Sequence, residues 1–194
     1  MNQQQLVLGS TSAYRRAVLE KLDIDFITAR PDIDETRYPG ETPIELVKRL
    51  SESKARVVAK QHPEALIIGS DQVASVGDTI LTKPGNHENA VRQLEQMAGQ
   101  TIVFHSGLCL FNAKTGSIQV DVVDFTVVMR NLTRQQIEHY VEKDQPFDSA
   151  GSFKSEGLGI ALFATMIGND PNALIGLPLI RLIDMLEQEQ FHVL

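Results

Sequence analysis

The sequence predicts a mixed α/β fold, in which a central, partly antiparallel sheet is flanked by helices. Strand and helix patterns alternate from the start of the chain, which is typical of an α/β architecture. The apolar run at 66–70 has the pattern of a strand that is buried on both faces. Two long strand patterns, 101–111 and 118–129, are joined by a short turn and therefore predict an antiparallel hairpin. Together these observations predict a mixed sheet rather than a purely parallel one.

Caps and turn residues place the other elements. Thr42 and Glu45 form a capping box with Pro43 at the first helical position, and Thr133 is a second helix cap. The apolar run 160–167 has no clear periodicity and fits a strand or a helix. In chain order the predicted elements are a strand at 6–8, a helix through 17–22, a strand at 26–29, a helix at 43–62, the strand at 66–70, a hairpin at 72–81 that turns at 77–78, a helix at 86–97, the long hairpin at 101–129, a helix through 137–141 and a last helix at 179–186.

The composition restricts the class of protein. With 194 residues, 42% of them hydrophobic and 22% charged, the chain is long enough for a substantial core. The formal net charge of −7 argues against nucleic acid or an anionic membrane as a partner, because both require a basic face. The chain has one cysteine, Cys109, and therefore no disulfide framework. It also shows neither a signal-peptide pattern nor an apolar run of membrane length, so we expect a cytoplasmic protein.

The turn after the first strand has the composition of an anion site. Ser10 lies in this turn, and Arg15 and Arg16 follow at the start of the helix. Hydroxyl groups and guanidinium groups are good donors to phosphate oxygens, whereas arginine in a first helical turn opposes the helix dipole. We therefore expect a polyphosphate site here, although a solvated helix face is the alternative.

Further charged clusters recur at the ends of elements. Each has a structural alternative: a solvated loop for the loop carboxylates, a strand-end cap for Asp71, an ordinary surface lysine for Lys83 and a structural turn for the glycine-rich loop. The chain contains no P-loop, no dinucleotide fingerprint and no zinc-type histidine spacing, so carboxylates would favour a hard cation such as Mg²⁺ or Mn²⁺. The clusters are the loop carboxylates Asp32, Asp34 and Glu35; Asp71, directly after the buried strand; Lys83 with Pro84; and the glycine-rich loop 151–159 with Lys154 and Glu156.

In this order the residues resemble the Maf family of nucleotide pyrophosphatases. The family's opening motif, Ser-x-Ser-Pro-Arg-Arg, is similar to the segment 10–16, with Ala13 in the place of proline and Tyr14 as one additional position. The resemblance runs from about residue 6 to residue 186. Its other motifs match Asp34-Glu35, Lys54, Asp71, Lys83-Pro84, the segment 150–157 and the segment 176–179.

The resemblance implies a fold, an activity and residue roles. The fold would be an elongated Maf/ITPase-like one, with residues 1–194 forming one domain of two lobes around an active-site cleft. The activity would be metal-dependent cleavage of a nucleoside triphosphate, with Mg²⁺, Mn²⁺ or Co²⁺, to a monophosphate and pyrophosphate, and the protein would form a homodimer. Asp71 would be the catalytic proton acceptor, Glu35 and Asp71 would hold the cation, and Ser10, Arg15, Arg16, Lys54, Lys83 and Lys154 would bind the substrate.

Three positions in the resemblance separate base preferences. Tyr14, Gln72 and Glu156 look like the subfamily that hydrolyses 7-methyl-GTP, whereas the dTTP/UTP subfamily typically has Arg, Thr and Gln there. A carboxylate at Glu156 can accept from guanine N1–H and from its amino group, and an aromatic ring at Tyr14 gains about 1–2 kcal/mol from a cationic base. The alternatives are a dTTP/UTP pyrophosphatase and a nucleotide-binding regulator of cell division without turnover.

Overall fold

The computed structural model describes residues 4–155 and 157–194 of the chain. It confirms the predicted fold class, since a mixed sheet is flanked by helices. The chain divides into two compact units. The first unit comprises Met1–Gln72, His105–Val123 and Asp170–Leu194, and the second comprises Val73–Phe104 and Asp124–Asn169.

Seven strands and six α-helices lie in the described residues. The strands are β1 (Leu6–Gly9), β2 (Ile27–Ala29), β3 (Leu66–Val76), β4 (Thr79–Leu81), β5 (Thr101–Asn112), β6 (Ile118–Met129) and β7 (Phe163–Ile167). The helices are α1 (Ala13–Leu19), α2 (Pro43–Ala59), α3 (His87–Met97), α4 (Arg134–Asp144), α5 (Pro171–Ile175) and α6 (Leu179–Gln188). No helix in these described parts of the chain is long and apolar enough to cross a membrane.

The first unit is built on parallel pairing. β1 pairs in parallel with β2 on one side and with β3 on the other, and the strand order is β2-β1-β3-β5-β6. The predicted apolar strand is fully buried, with Leu66, Ile67 and Ile68 at 0% exposure. The predicted capping box at the start of α2 is also present, because Thr42 and Glu45 bond reciprocally.

The second unit is built on antiparallel pairing. β3 turns at Gly77 into β4, and β6 pairs with β7, so that both contacts are antiparallel. The backbone of Gly77 has a φ of 55°, which a glycine adopts without strain. Three aromatic rings pack edge to face in this unit: Phe153 lies with its centroid 5.6 Å from that of Phe104 and 5.0 Å from that of Phe163.

The structure corrects one predicted boundary and decides one open element. Asp71 does not follow the end of a strand; it lies within β3, which continues to Val76 because its last residues find a new partner in β4. The ambiguous run 160–167 divides into the end of a 3-10 helix, Leu158–Leu162, and the strand β7. The short helix α5 was not among the predicted elements.

Candidate active site

Two glycines allow α2 to lie directly on the sheet of the first unit. A Cβ atom on Gly69 would overlap the backbone oxygen of Ser51, and one on Gly107 would overlap that of Val47. The lack of these side chains lets the helix backbone come into contact with β3 and β5. As a result, Ser51 and Lys54, on the buried face of α2, reach the middle of β3.

A buried lysine lies between two carboxylates. Nζ of Lys54 is 2.6 Å from Oδ1 of Asp71 and 2.7 Å from Oε1 of Glu35. The Lys54 side chain is 6% exposed and that of Asp71 is 12% exposed, whereas Glu35 is largely exposed. A buried charge is stable only when it is paired, and the two ion pairs of Lys54 supply the partners that the buried members of this cluster require.

Ser51 fixes the backbone of Asp71. The Asp71 N–H donates to Oγ of Ser51 at 3.0 Å, and that hydroxyl donates to the Val47 carbonyl at 2.6 Å. The serine therefore satisfies a β3 backbone donor at the point where the strand has passed the end of β1. This arrangement leaves the Asp71 carboxylate free to bond with side chains.

Arg49 fixes the loop that carries Glu35. Its guanidinium donates to both carboxylate oxygens of Glu41, at 2.6 and 2.8 Å, and to the Thr36 carbonyl at 3.0 Å. The hydrogen bond from Arg49 lowers the pKa of Glu41 to about 2. Hydrogen bonds from the Thr36 side chain and backbone also lower the pKa of Asp34. Asp34 thus shapes the turn, and Glu35 is the loop carboxylate that reaches Lys54.

Arg15 is held by the turn between α5 and α6. Its Nε donates to the Gly176 carbonyl at 2.9 Å, and Oγ of Ser70 donates to the same oxygen at 2.8 Å. Burial lowers the pKa of the Arg15 guanidinium, while the charges of Asp71 and Glu35 raise it. The Arg15 guanidinium therefore interacts electrostatically with the same two carboxylates that Lys54 contacts.

The remaining residues of the opening turn have more varied surroundings. Ser10 is buried, and its Oγ accepts from the Ser12 N–H at 3.1 Å. Ser12 caps α1 by accepting from the backbone N–H of Arg15. Tyr14 is 47% exposed, and Arg16 is exposed and pairs with Glu20 one helical turn away, at 2.9 Å. The two adjacent arginines therefore differ: Arg15 joins the cluster and Arg16 lies on the surface.

Gln72 follows Asp71 and contacts α5. Its Nε2 donates to the Ala173 carbonyl at 2.7 Å, to the Leu174 carbonyl at 3.1 Å and to Oγ of Ser106 at 2.9 Å. A Cβ atom on Gly176 would contact both the Arg15 guanidinium and the Gln72 amide. The two side chains therefore flank one point of the first unit.

The predicted residues of the second unit form a separate set. The backbone N–H of Lys154 donates to the Tyr140 hydroxyl at 3.1 Å, and its Nζ donates to the Asp144 carbonyl at 3.1 Å, in the last turn of α4. Lys83 is exposed; the backbone N–H of Gly151, in the glycine-rich loop, donates to the Thr82 carbonyl on one side of it, and that of Gly85 donates to the Phe147 carbonyl on the other. Glu156 lies outside the described residues.

A divalent cation would find two carboxylates in this cluster. Within residues 4–155 and 157–194, no group of three or more His, Cys, Asp or Glu side chains is placed to hold a metal ion. Lys54 contacts one oxygen each of Glu35 and Asp71, so the second oxygen of each carboxylate remains for a ligand. Such a pair fits Mg²⁺, which takes one or two carboxylates and completes its shell with phosphate oxygens and water.

Sequence reasoning missed the residues that position this cluster. Ser51, Ser106 and the Gly176 carbonyl bond to site residues, Ser70 donates to the same Gly176 carbonyl, and none of these contacts was predicted. Only Gly176 had a usable signal in the sequence. Asp170 followed by a proline, with Gly176 six residues later, is the pattern of a short capped helix that ends at this glycine. The arrangement as a whole places a buried carboxylate beside two cations, which suits proton transfer next to an anionic substrate.

Comparison with known proteins gives consistent results along the whole chain. The profile of the family described as Maf-like protein matches residues 5–189. The chain is 54% identical to a 7-methyl-GTP pyrophosphatase of Pseudomonas putida over 184 residues, covering 95% of this chain and 96% of that protein. It is 50% identical to a 7-methyl-GTP pyrophosphatase of Vibrio parahaemolyticus over 194 residues, covering 100% of both. Among solved structures, the Ham1 protein of Staphylococcus aureus has a TM-score of 0.53 at 13% identity, covering 96% of this chain and 100% of that one, and this likeness shows the fold alone.

Proposed function

The chain belongs to the Maf-like protein family, and from that membership we propose that it hydrolyses 7-methyl-GTP to 7-methyl-GMP and pyrophosphate, clearing a modified nucleotide. The observation that carries the proposal is the 54% identity to a 7-methyl-GTP pyrophosphatase over 95% of the chain. The cluster around Asp71 supports it, because the chemistry of that cluster suits hydrolysis of a phosphoanhydride.

Asp71 is the proposed proton acceptor. Its Oδ1 is bonded to Lys54, so its other oxygen can orient a water molecule and accept a proton from it. The water oxygen then bonds to phosphorus, and the bridging oxygen between the α and β phosphates leaves with pyrophosphate. Lys54 holds Oδ1 of the carboxylate by an ion pair at 2.6 Å and so fixes the orientation of the proposed acceptor.

Arg15 is the proposed phosphate ligand of the first unit. Its Nε is used on the Gly176 carbonyl, which fixes the plane of the guanidinium and directs its terminal N–H groups to a substrate. Fixed cations of this kind stabilise the negative charge that spreads over the phosphate oxygens. Ser10, Arg16, Lys83 and Lys154 are proposed to contribute less than Arg15 to substrate binding.

We further propose that Glu35 and Asp71 hold a divalent cation, Mg²⁺, Mn²⁺ or Co²⁺. A bound cation of this type would offset charge on the phosphate oxygens. The oxygen donor set supports this, as does the proximity of both carboxylates to one ammonium group. The predicted homodimer, the cytoplasmic location and the lack of a nucleic-acid or membrane partner stay predictions.

We propose that Tyr14, Gln72 and Glu156 determine which nucleotide base the protein prefers. Tyr14 is exposed enough to stack on a cationic 7-methylguanine ring, and a Glu156 carboxylate would accept from the guanine edge. The dTTP/UTP alternative requires the same chemistry with a different base, so only a substrate comparison separates the two.

Pyrophosphate release tests the proposal. Purified protein would be incubated with Mg²⁺ or Mn²⁺ and, in turn, 7-methyl-GTP, GTP, dTTP, UTP, CTP and ITP. We expect a clear preference for 7-methyl-GTP, with the monophosphate as the second product. Preferred turnover of dTTP or UTP would contradict the base assignment alone. Binding without turnover of any nucleotide would instead favour the regulator.

A further inference from the structure

Asp170 is a buried carboxylate that the proposed mechanism does not use. It is 3% exposed and lies directly before α5. Its Oδ1 accepts from the backbone N–H and from Nδ2 of Asn172, both at 2.9 Å, and its Oδ2 accepts from the backbone N–H of Ile180 at 2.8 Å. Asn172 lies in the first turn of α5 and Ile180 in the first turn of α6. The two oxygens of one carboxylate therefore bond to two different helices.

The bond to Ile180 replaces a cap that α6 lacks at its own start. Pro178, the residue before α6, forms no side-chain cap. The N–H groups of a first helical turn have no partner within the helix, so they require an acceptor from elsewhere. Asp170 supplies that acceptor across the whole of α5. One side chain thus fixes the corner between α5 and α6, which consists of residues 176–178.

This corner carries the carbonyl group that holds Arg15. Gly176 has a φ of 103°, a conformation that residues with a side chain rarely adopt, and its N–H bonds to the carbonyls of Asn172 and Ala173. Its own carbonyl accepts from Nε of Arg15 at 2.9 Å and from the Ser70 hydroxyl at 2.8 Å. A displacement of the corner would therefore move the atom that fixes the plane of the Arg15 guanidinium.

We propose that Asp170 is a positioning residue for the phosphate chain of the substrate, because it holds the α5–α6 corner so that the Gly176 carbonyl keeps Arg15 directed at the phosphates. This inference rests on the proposed function, in which Arg15 is a phosphate ligand, and deepens it. Asp170 acts through the backbone of the corner rather than by contact with the substrate. A guanidinium that is fixed at Nε binds phosphate oxygens with less loss of side-chain freedom than one that rotates.

A double-mutant cycle tests this route. The probe is inorganic tripolyphosphate, which has the phosphate chain of the substrate without its nucleoside, and calorimetry without a divalent cation would measure its Kd. Arg15→Met should weaken binding about tenfold. Asp170→Asn leaves one acceptor oxygen for two helices and should weaken binding about fivefold. The double variant should bind no more weakly than Arg15→Met, because no guanidinium remains for Asp170 to position.

Three results would overturn the inference. Additive losses, about fiftyfold in the double variant, would mean that Asp170 acts on binding by another route. Unchanged binding in Asp170→Asn would mean that the corner does not need it, and unchanged binding in Arg15→Met would leave no phosphate ligand to position. None of these results decides the proposed function, which pyrophosphate release from the nucleotide panel tests separately.

Thr133→Ala is the matched control, because it also removes a helix cap, that of α4, and Thr133 is not a proposed site residue. Both cap variants should lower the melting temperature by about 2–4 °C, but only Asp170→Asn should weaken tripolyphosphate binding. Equal weakening in the two would assign the effect to general loosening of the fold and overturn the inference.

A second variant covers the case in which Asp170→Asn fails to fold. Ser70→Ala removes the other donor to the Gly176 carbonyl and would take its place in the cycle. We expect it to weaken tripolyphosphate binding about threefold in the wild-type background and not at all in the Arg15→Met background. A loss of the same size in both backgrounds, or no loss in either, would overturn the assignment of the corner to Arg15.

Discussion

Lys54 in the first unit and Lys154 in the second unit were both predicted to bind phosphate, but their ammonium groups have opposite kinds of partner. Nζ of Lys54 contacts two carboxylates, whereas Nζ of Lys154 contacts backbone carbonyl oxygens at the end of α4. Carbonyl dipoles are neutral, so a phosphate can displace them from Lys154 at little cost. The carboxylates around Lys54 are themselves part of the proposed chemistry. The comparison indicates that the ammonium of Lys54 holds the two carboxylates in place, whereas that of Lys154 has only neutral partners and is the better candidate for a substrate contact.

Removing the Asp71 charge is the strongest way to break the Lys54 cluster. Asp71→Asn deletes the proposed proton acceptor and should lower kcat by about a thousandfold. Nucleotide binding, measured by calorimetry without a divalent cation, should change by no more than a few-fold, because Arg15 and the other proposed phosphate ligands remain. Retained turnover would exclude Asp71 as the base. Loss of both turnover and binding would indicate that the carboxylate mainly organises the site.

The Lys154 region depends on aromatic packing rather than on charge. Phe153 is buried between Phe104 and Phe163, so Phe153→Ala should lower the free energy of unfolding by about 3 kcal/mol. Urea denaturation would measure this loss. Phe153→Leu is the matched control and should cost less than half as much. No loss in Phe153→Leu would mean that the edge-to-face contacts contribute nothing specific, whereas equal losses in the two variants would mean that the ring contacts, and not the filled volume, carry the stability.

The two lysines can be compared directly. Lys54→Met leaves Asp71 and Glu35 without their shared cation and should lower kcat by about a hundredfold. Lys154→Met removes a proposed substrate contact and should raise KM by about tenfold, with kcat little changed. Steady-state kinetics on both variants measures the difference. The same kcat and KM changes in both would show that their different surroundings have no functional meaning.

The smallest expected effect concerns the loop that brings Glu35 to Lys54. Glu41→Gln weakens the contact with Arg49 and should lower the free energy of unfolding by about 1–2 kcal/mol at neutral pH. The pKa of Glu41 is depressed to about 2 in the folded protein, so its contribution is present above the usual carboxyl range and is lost as the pH falls towards 2. The difference between wild type and variant should therefore vanish in acid. Glu64→Gln, in an exposed pair with Lys114, is the control and should have no effect at any pH.

Features that depend on neighbouring residues were predictable from the sequence. The capping box at Thr42 and Glu45 was confirmed, and so was the turn at Gly77, because a few adjacent residues determine each of them. The boundary at Asp71 was wrong, since the continuation of β3 depends on pairing with β4 rather than on its own apolar pattern.

Features that join distant parts of the chain were not predictable. Arg15 is held by Gly176, and Gln72 by Ser106 and Ala173, and no periodicity or spacing relates these positions. Resemblance to a family supplied the residue types of the site, but it could not show that Arg15 joins the cluster while Arg16 pairs with Glu20 on the surface. The roles of Lys83 and Glu156 stay predictions.

The contact of α2 with the sheet at Gly69 and Gly107 also has a consequence for how this protein can vary. Every amino-acid replacement at these two positions adds at least one carbon, and each would push the helix that carries Ser51 and Lys54 away from Asp71. Single-base changes in these two glycine codons should therefore be selected against on steric grounds alone. A survey of random variants should find them as depleted as Asp71, the proposed proton acceptor.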